Sequence, residues 1–478
     1  MPRTISKLSL WLQLRPDVMK RIFLLLAAAL SIASTAGAAV RPHFGGTLRV
    51  EMRGAISSFD ITDDPNAARA LLRDLVLTNV CDRLVVLNTN GEPQPSLATS
   101  WRSERDGRSW YFMLQDGVPM HNGNTLTPQT VVTALAAQNP DWHARATGSE
   151  LLVQSDIPAP NILYQLAEPH NSICLAGDNG QWIGSGPFRI GDFQAGQQIE
   201  LRAFDDAWQG RPFLDRVHIQ MGRSLTDQAA DLQTNRADVI ENDPTQPRAA
   251  GAGVASFTEP IELFALAFTP NHPANSDSGL REALARSLDR NSIYSVLLHR
   301  QGQSSAALLP QWISGYDHLF NGGQDVALAR RLRNPLGSLV PLSLAFDAND
   351  DLARLIAERV SLNAQAAGFT LQPRQETPSF RGFNADVRLV RLRMESPEGG
   401  AALTRIASIL NVAKLQKAET ATTPEALYAV EGDALKDYSI IPIAHIPEAY
   451  SRAAIVHDWS ITRWGDIRLA DLWIEVAK

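Results

Sequence analysis

Gly45-Gly46-Thr47-Leu48-Arg49-Val50-Glu51-Met52 alternates polar and apolar side chains behind a glycine pair, the pattern of a strand entering a sheet. Downstream, Leu71 to Leu77 has helical spacing, and Leu84 to Leu87 followed by Asn88-Thr89-Asn90-Gly91 reads as a strand and turn. Ser100-Trp101, the turn Arg105-Asp106-Gly107 and Ser109 to Leu114 form a hairpin pattern. Thr127-Pro128 opens a helix over Val131 to Ala137 with a capping residue and a proline at its first position. A second hairpin is expected from Leu151 to Val153 and Ile162 to Leu166, around the breakers Pro158 and Pro160. Gly184-Ser185-Gly186 precedes a strand at Pro187 to Ile190, with Ile199 to Ala203 as its antiparallel partner. Thr226 to Thr234 predicts a helix capped by Thr226, and Ala237 to Ile240 a short strand.

Past the small-residue tract Ala249 to Ala255, Phe264 to Phe268 reads as a buried strand and Ser278 to Leu288 as an amphipathic helix. A second helix, Leu352 to Ala367, stops at Gly368. Strands are expected at Leu342 to Phe346, Thr370 to Pro373 and Val387 to Leu392. Parallel-type strand-helix units mixed with hairpins define an α/β class carrying α+β insertions.

Upstream, Met1 to Lys20 carries scattered basic residues, Ile22 to Ala33 is apolar, and Ala36-Gly37-Ala38 supplies small residues for cleavage. This predicts a secretory signal peptide over residues 1–38. Its apolar core is shorter than the ~20 residues that cross a bilayer, and no comparable run follows, so a soluble mature chain is expected. No cysteine follows the small residues, which argues against lipid attachment; an uncleaved anchor is the alternative.

The rest of the 478 residues exceeds one hydrophobic core and implies two or three domains of ~100 to 200 residues each. A formal charge of −7, made more acidic by losing Arg3, Lys7, Arg15, Lys20 and Arg21, argues against nucleic acid or an anionic membrane as partner. Cys81 and Cys174 either pair in an oxidising compartment or stay two separate buried thiols.

The order of several phrases carries more than any one motif. Gly45-Gly46-Thr47-Leu48, Pro95-Ser96-Leu97-Ala98-Thr99-Ser100-Trp101, Asp106-Gly107-Arg108-Ser109-Trp110-Tyr111-Phe112 and His121-Asn122-Gly123 follow one another. Gly184-Ser185-Gly186-Pro187-Phe188, Arg211-Pro212-Phe213-Leu214-Asp215, Leu280-Arg281-Glu282-Ala283-Leu284 with Ser287-Leu288-Asp289-Arg290, and Trp464-Gly465 continue the series. The series resembles the dipeptide, oligopeptide and nickel-type extracellular solute-binding proteins, family 5, of ABC importers. That resemblance implies a two-lobed periplasmic binding protein-like fold (type II) with an α+β domain inserted in the first lobe. Mapped here, lobe I covers residues 45–64, 181–255 and 441–478, the insertion 65–180 and lobe II 256–440.

The resemblance also implies a periplasmic protein, not an enzyme. It would work as a monomer without cofactor, pass a small peptide-like solute to an inner-membrane ABC permease, and close its lobes over that solute. The segment that contacts a peptide's amino group in peptide binders reads Asp386 to Pro397 here, with Leu392 where a tryptophan would stand and Glu395 near the expected aspartate. This departure leaves a second reading open, a ligand-sensing or protein-interaction relic of the fold.

Glu395 is the candidate partner for a ligand ammonium, and Arg391, Arg393 or Arg381 for a carboxylate; the arginines alternatively decorate a solvated face. Phe59 and Trp182 are candidate stacking residues, with core packing as the alternative. Gly184 to Gly186 lacks the lysine and spacing of a phosphate loop and reads as a tight turn. The dispersed histidines predict no metal site, and no nucleophile elbow or zinc-protease motif occurs.

Overall fold

The computed structural model describes residues 42–60, 66–139, 141–178, 180–245, 253–270, 277–336, 341–376 and 385–475. The expected signal peptide and Arg381 lie outside them.

β1 (Thr47–Glu51) buries Leu48 and Val50 while Thr47 is exposed, as its alternation requires. α1 (Ala67–Val80) follows, with the Asn66 side chain accepting a hydrogen bond from the Arg69 amide. The chain then builds a separate antiparallel sheet from β2 (Ala98–Ser103), β3 (Ser109–Leu114), β4 (Trp142–Thr147) and β5 (Glu150–Ser155), in the order β2-β3-β5-β4. α2 (Pro128–Gln138), capped by Thr127, lies between β3 and β4 in the chain, and its Val131 and Leu135 share a core with Phe112, Leu151 and Val153.

The hairpin expected after Leu151 is corrected here: β5 pairs with β4 through a turn in which Gly148 takes φ 63°. Ile162–Gln165 is one helical turn. Its apolar run buries Ile162 and Leu166 but leaves Leu163 and Tyr164 half-buried, a helical and not an alternating pattern.

The chain returns through β6 (Phe188–Gln194), β7 (Gln198–Ala203), β8 (Arg216–Gln220), α3 (Leu225–Gln233) and β9 (Val239–Asn242). The cap of α3 is Ser224, two residues before the expected Thr226; its hydroxyl accepts from the Asp227 amide at 3.1 Å. β10 (Val254–Phe268) then crosses into a second body containing α4 (Ser278–Ser287), β11 (Leu342–Asp347), α5 (Asp351–Ala366), β12 (Leu371–Glu376), β13 (Val387–Arg393), α6 (Gly399–Leu410) and α7 (Pro424–Leu435). β14 (Ile440–Arg452) returns.

Ten of these strands align as β6-β7-β8-β1-β9-β14-β10-β13-β11-β12. β1 is parallel to β8 and β9, β10 and β14 are antiparallel to each other, and β11 is parallel to β12 and β13. One sheet therefore runs through both lobes, and β10 and β14 are the segment they share.

Side chains of β10 alternate between two cores. Phe264, Leu266 and Phe268 meet α4 and α5 residues such as Leu284 and Ile356. Leu263, Ala265 and Ala267 meet Leu403 and Ile406 of α6. Helices on both faces explain why this stretch reads as a continuous apolar run. In the first lobe, α1 residues Leu72 and Val76 pack with Leu48, Val217 and Ile219.

The cysteine alternative resolves to a disulfide: Cys81, at the C-terminal cap of α1, joins Cys174 with Cα atoms 5.6 Å apart. Because it closes a 93-residue separation, chain entropy assigns it about 4 to 5 kcal/mol. Urea unfolding of the Cys81→Ala/Cys174→Ala double variant is expected to show a loss of that order. A change below about 1 kcal/mol would contradict the loop-closure argument.

Candidate functional site

A cavity of about 630 Å³ is built by both lobes. The first lobe supplies Arg53 just after β1, the start of α3 and Asp243-Pro244-Thr245 after β9. The second supplies Val296, Leu297 and His299, the start of α5 and Arg391 of β13, while Phe257 and Ser451 come from the crossing strands. Its volume lies within the ~300 to 1,000 Å³ of small-molecule sites.

Two helix N-termini open onto this cavity, and the partial positive charge of each favours an anionic group. Val296 and Leu297 belong to a π-helical turn, and His299 beyond it takes φ 47°, left-handed backbone that costs a non-glycine residue energy.

The cavity wall is charged. Arg391 donates to Asp350 at 2.7 Å and from Nε to Glu262 at 2.9 Å, and Asp350 also accepts from the Ala353 amide, capping α5. Burial lowers the affinity of the Arg391 guanidinium for its proton, but Glu262 and Asp350 outweigh it and hold the group firmly charged. Burial raises Asp350, and the charges of Arg391 and Arg53 overcome it to hold the carboxyl below its usual range. The Arg53 amide donates to Glu241, whose other oxygen lies 3.4 Å from the guanidinium. Asp243 and Asp351 complete a wall bearing both signs of charge.

Behind the wall is a second ionic group with almost no exposure. Arg393 of β13 bonds Glu448 of β14 at 2.6 Å and Asp74 of α1 at 3.1 Å. Arg73 bonds Asp74 at 2.7 Å and Glu395 at 3.3 Å, and Arg405 of α6 reaches Glu395 at 3.5 Å. Tyr450 donates to Glu448 at 3.0 Å. His170, 3.7 Å from Glu395 and 3.5 Å from Glu168, is pushed down to about 4 by burial and the nearby Arg73 charge, so it is neutral at pH 7. Among the described residues none donates a hydrogen bond to the buried Glu395 Oε2 or Glu168 Oε1.

Of the residues singled out in the sequence, Arg391 lines the cavity. Arg393 and Glu395 sit in the buried ionic group, and Phe59 and Trp182 lie in the first-lobe core. Trp182 is 4% exposed, with its ring 5.2 Å from Phe59, which in turn is 4.5 Å from Phe193. Gly184 and Gly186 press on the end of α1, where a Cβ would stand 2.3 and 2.8 Å from the Val80 carbonyl oxygen, which accounts for that turn.

Sequence reasoning missed Arg53, Asp243 and Asp350. Asp350 alone carried a local signal, as an acidic residue at the capping position before a helical run.

Residues 92–405 match the model of the bacterial extracellular solute-binding proteins, family 5 middle region, and the chain belongs to this family. It is 22% identical over 319 residues to the probable ABC transporter periplasmic-binding protein SapA of Escherichia coli strain K12, covering 55% of this chain and 57% of that protein. It is 24% identical over 183 residues to the nickel-binding protein NikA of Staphylococcus aureus, covering 35% and 37%. The chain thus matches little more than half the length of SapA and little more than a third of that of NikA.

Among solved structures, DppA of Helicobacter pylori in complex with the peptide STSA superposes with a TM-score of 0.79 at 16% identity, over 91% of this chain and 99% of that one. Staphylococcus aureus NikA with Ni(L-His)2 gives 0.76 at 18%, over 90% and 100%. The two-lobed fold expected from the phrase order is borne out. Among the described residues no helix is long and apolar enough to cross a membrane.

The buried ionic group sets a pH dependence. Desolvation pushes Asp74 and Glu448 up to about 7 despite their arginines, whereas unfolded carboxyls titrate near ~4. Between those values these two carboxyls bind more protons in the folded chain than in the unfolded one, and they outnumber His170, whose lowered value acts in the opposite sense up to ~6.5, so the group's contribution to stability falls as pH rises through ~4 to 7. Thermal unfolding is expected at a higher midpoint at pH 5 than at pH 8, and Asp74→Asn is expected to flatten the difference. An unchanged slope in that variant would contradict the assignment.

Proposed function

We propose that this chain is the periplasmic substrate-binding component of an ABC importer, exported by its signal peptide and acting as a monomer that delivers solute to an inner-membrane permease. The solute is a small zwitterion, an amino acid derivative or short peptide. The observation that carries this reading is the 630 Å³ cavity whose walls come from both lobes and bear both signs of charge. A ligand touching both lobes stabilises the closed state through its differential affinity for that state.

Arg391 is the residue proposed to meet the ligand carboxylate. Asp243 and Asp351 face its ammonium, and Arg393 and Glu395 hold β13 in place behind it. Phe59 and Trp182 would act from the core, by fixing the first-lobe wall. Relatives whose solved complexes hold a peptide or a nickel–histidine complex fit the same solute size.

The engagement of Arg393 and Glu395 by the chain's own side chains favours a second reading, a sensor or interaction relic that binds no transported solute. Native mass spectrometry of the purified protein and calorimetry against amino acids, di- and tripeptides and nickel–histidine separate the two. The importer reading expects a co-purifying small molecule and saturable binding that Arg391→Gln weakens at least tenfold. Silence across the whole set, with a protein partner co-purifying instead, would favour the relic.

A further inference from the structure

A second cavity of about 220 Å³ opens on the second lobe, away from the cleft. At ~30 Å³ per water it holds about seven waters, or one small polyatomic ion with part of its hydration. Arg286, Arg290, Lys436, Asn321 and Tyr438 contribute its polar lining, and among the described residues no Asp or Glu lines it.

Arg290 is unusual among the buried arginines. It is 6% exposed, its Nε donates to the Pro442 carbonyl at 2.7 Å and its Nη1 to the Gly322 carbonyl at 3.1 Å. Among the described residues no carboxylate pairs with it, whereas Arg391 and Arg393 each hold two. The charge of nearby Arg286 adds to burial and pushes Arg290 down to about 10. Arg286 pairs with Glu282 at 3.3 Å and with the Tyr438 hydroxyl at 3.1 Å, and Lys436 lies 3.5 Å from Asp433. A buried cation without a counter-charge is costly, and an anion in the cavity relieves that cost.

Gly432 gives a separate indication. It sits within α7 and lines the cavity. Its backbone is not left-handed, and an added Cβ would meet only Phe320 Cε1 at 3.9 Å. A helix-interior glycine costs about 1 kcal/mol relative to alanine, and neither packing nor conformation requires it here. What it does is leave the cavity open. The C-terminal turns of α4 and α7 also approach with partial negative charges of about half a unit each; Glu282 and Asp433 offset Arg286 and Lys436 from outside the lining, which leaves Arg290 as the cation without a carboxylate.

We propose that the pocket formed by Arg286, Arg290, Lys436 and Gly432 is a binding site for a small oxyanion, a carboxylate or phosphate, separate from the interlobe cleft. Guanidinium groups match the paired oxygens of such anions. The test titrates the full chain with inorganic phosphate, sulfate or succinate, against sodium chloride at equal ionic strength, and follows the thermal midpoint.

At least one oxyanion is expected to raise the midpoint saturably beyond chloride, with phosphate and succinate distinguishing the inorganic from the carboxylate source. Arg286→Gln/Lys436→Gln is expected to weaken the response at least fivefold. Gly432→Leu, which fills the cavity without touching a charge, is expected to abolish it. Arg391→Gln is expected to leave it intact. No excess over chloride, an undiminished response in Gly432→Leu, or loss in Arg391→Gln would each overturn the proposal.

Discussion

Two arginines on one strand neutralise the carboxylates of the two strands that cross between the lobes: Arg391 meets Glu262 of β10, and Arg393 meets Glu448 of β14. Both glutamates are buried, and an ionised carboxylate without a partner in that setting costs several kcal/mol. The crossing strands can carry charge at the centre of a sheet because β13 lies beside β10 and turns its arginines toward them. From that compensation follow the position of Asp350, which shares Arg391 and caps α5, and that of Asp74, which shares Arg393 and draws α1 against the second lobe. The cavity and the ionic group behind it are thus two ends of one electrostatic arrangement.

The crossing strands are also where pairing is most irregular. Pro260 of β10 stands opposite Pro447 of β14, and the register shifts on either side of Pro260 and again between Phe264 and Ala265. Neither proline has an N–H to donate, so the ladder is thinned there, and the bulges let each strand bend. A thinned, bulged ladder at the junction of two well-packed cores concentrates deformation in a few residues. Hinge motion needs the same thing.

Much of the architecture was legible locally. Ser109 to Leu114 is a strand from end to end, Thr127-Pro128 caps the helix it was expected to cap, and Gly368 ends another at φ 89°. β14 was not legible: Ile440-Ile441-Pro442-Ile443-Ala444-His445-Ile446-Pro447-Glu448 contains two prolines and an acid, which argue against a central strand. It becomes one because β10, some 180 residues away in the chain, accommodates the prolines at its bulges and β13 supplies the arginine.

The site divides the same way. Arg391, Arg393 and Glu395 fall in one short segment and could be singled out together. Arg53, Asp243 and Asp350 come from three distant turns, and only tertiary folding brings them to Arg391. Phe59 and Trp182, candidates for stacking on a ligand with core packing as the alternative, stand together in the first-lobe core, a contact that an aromatic's place in the sequence does not distinguish from a cleft position.

The central claim is that two lobes joined by a thinned pair of strands close over a solute held by both. Spin labels at Asp192→Cys on the first lobe and Leu362→Cys on the second, both exposed positions, report on it by double electron–electron resonance, the native cysteines being tied in their disulfide. Protein stripped of solute by partial unfolding and refolding should show a longer or broader distance distribution, and the solute it co-purifies with should shift it to a single shorter distance. One narrow distance, the same before and after stripping, would contradict the account.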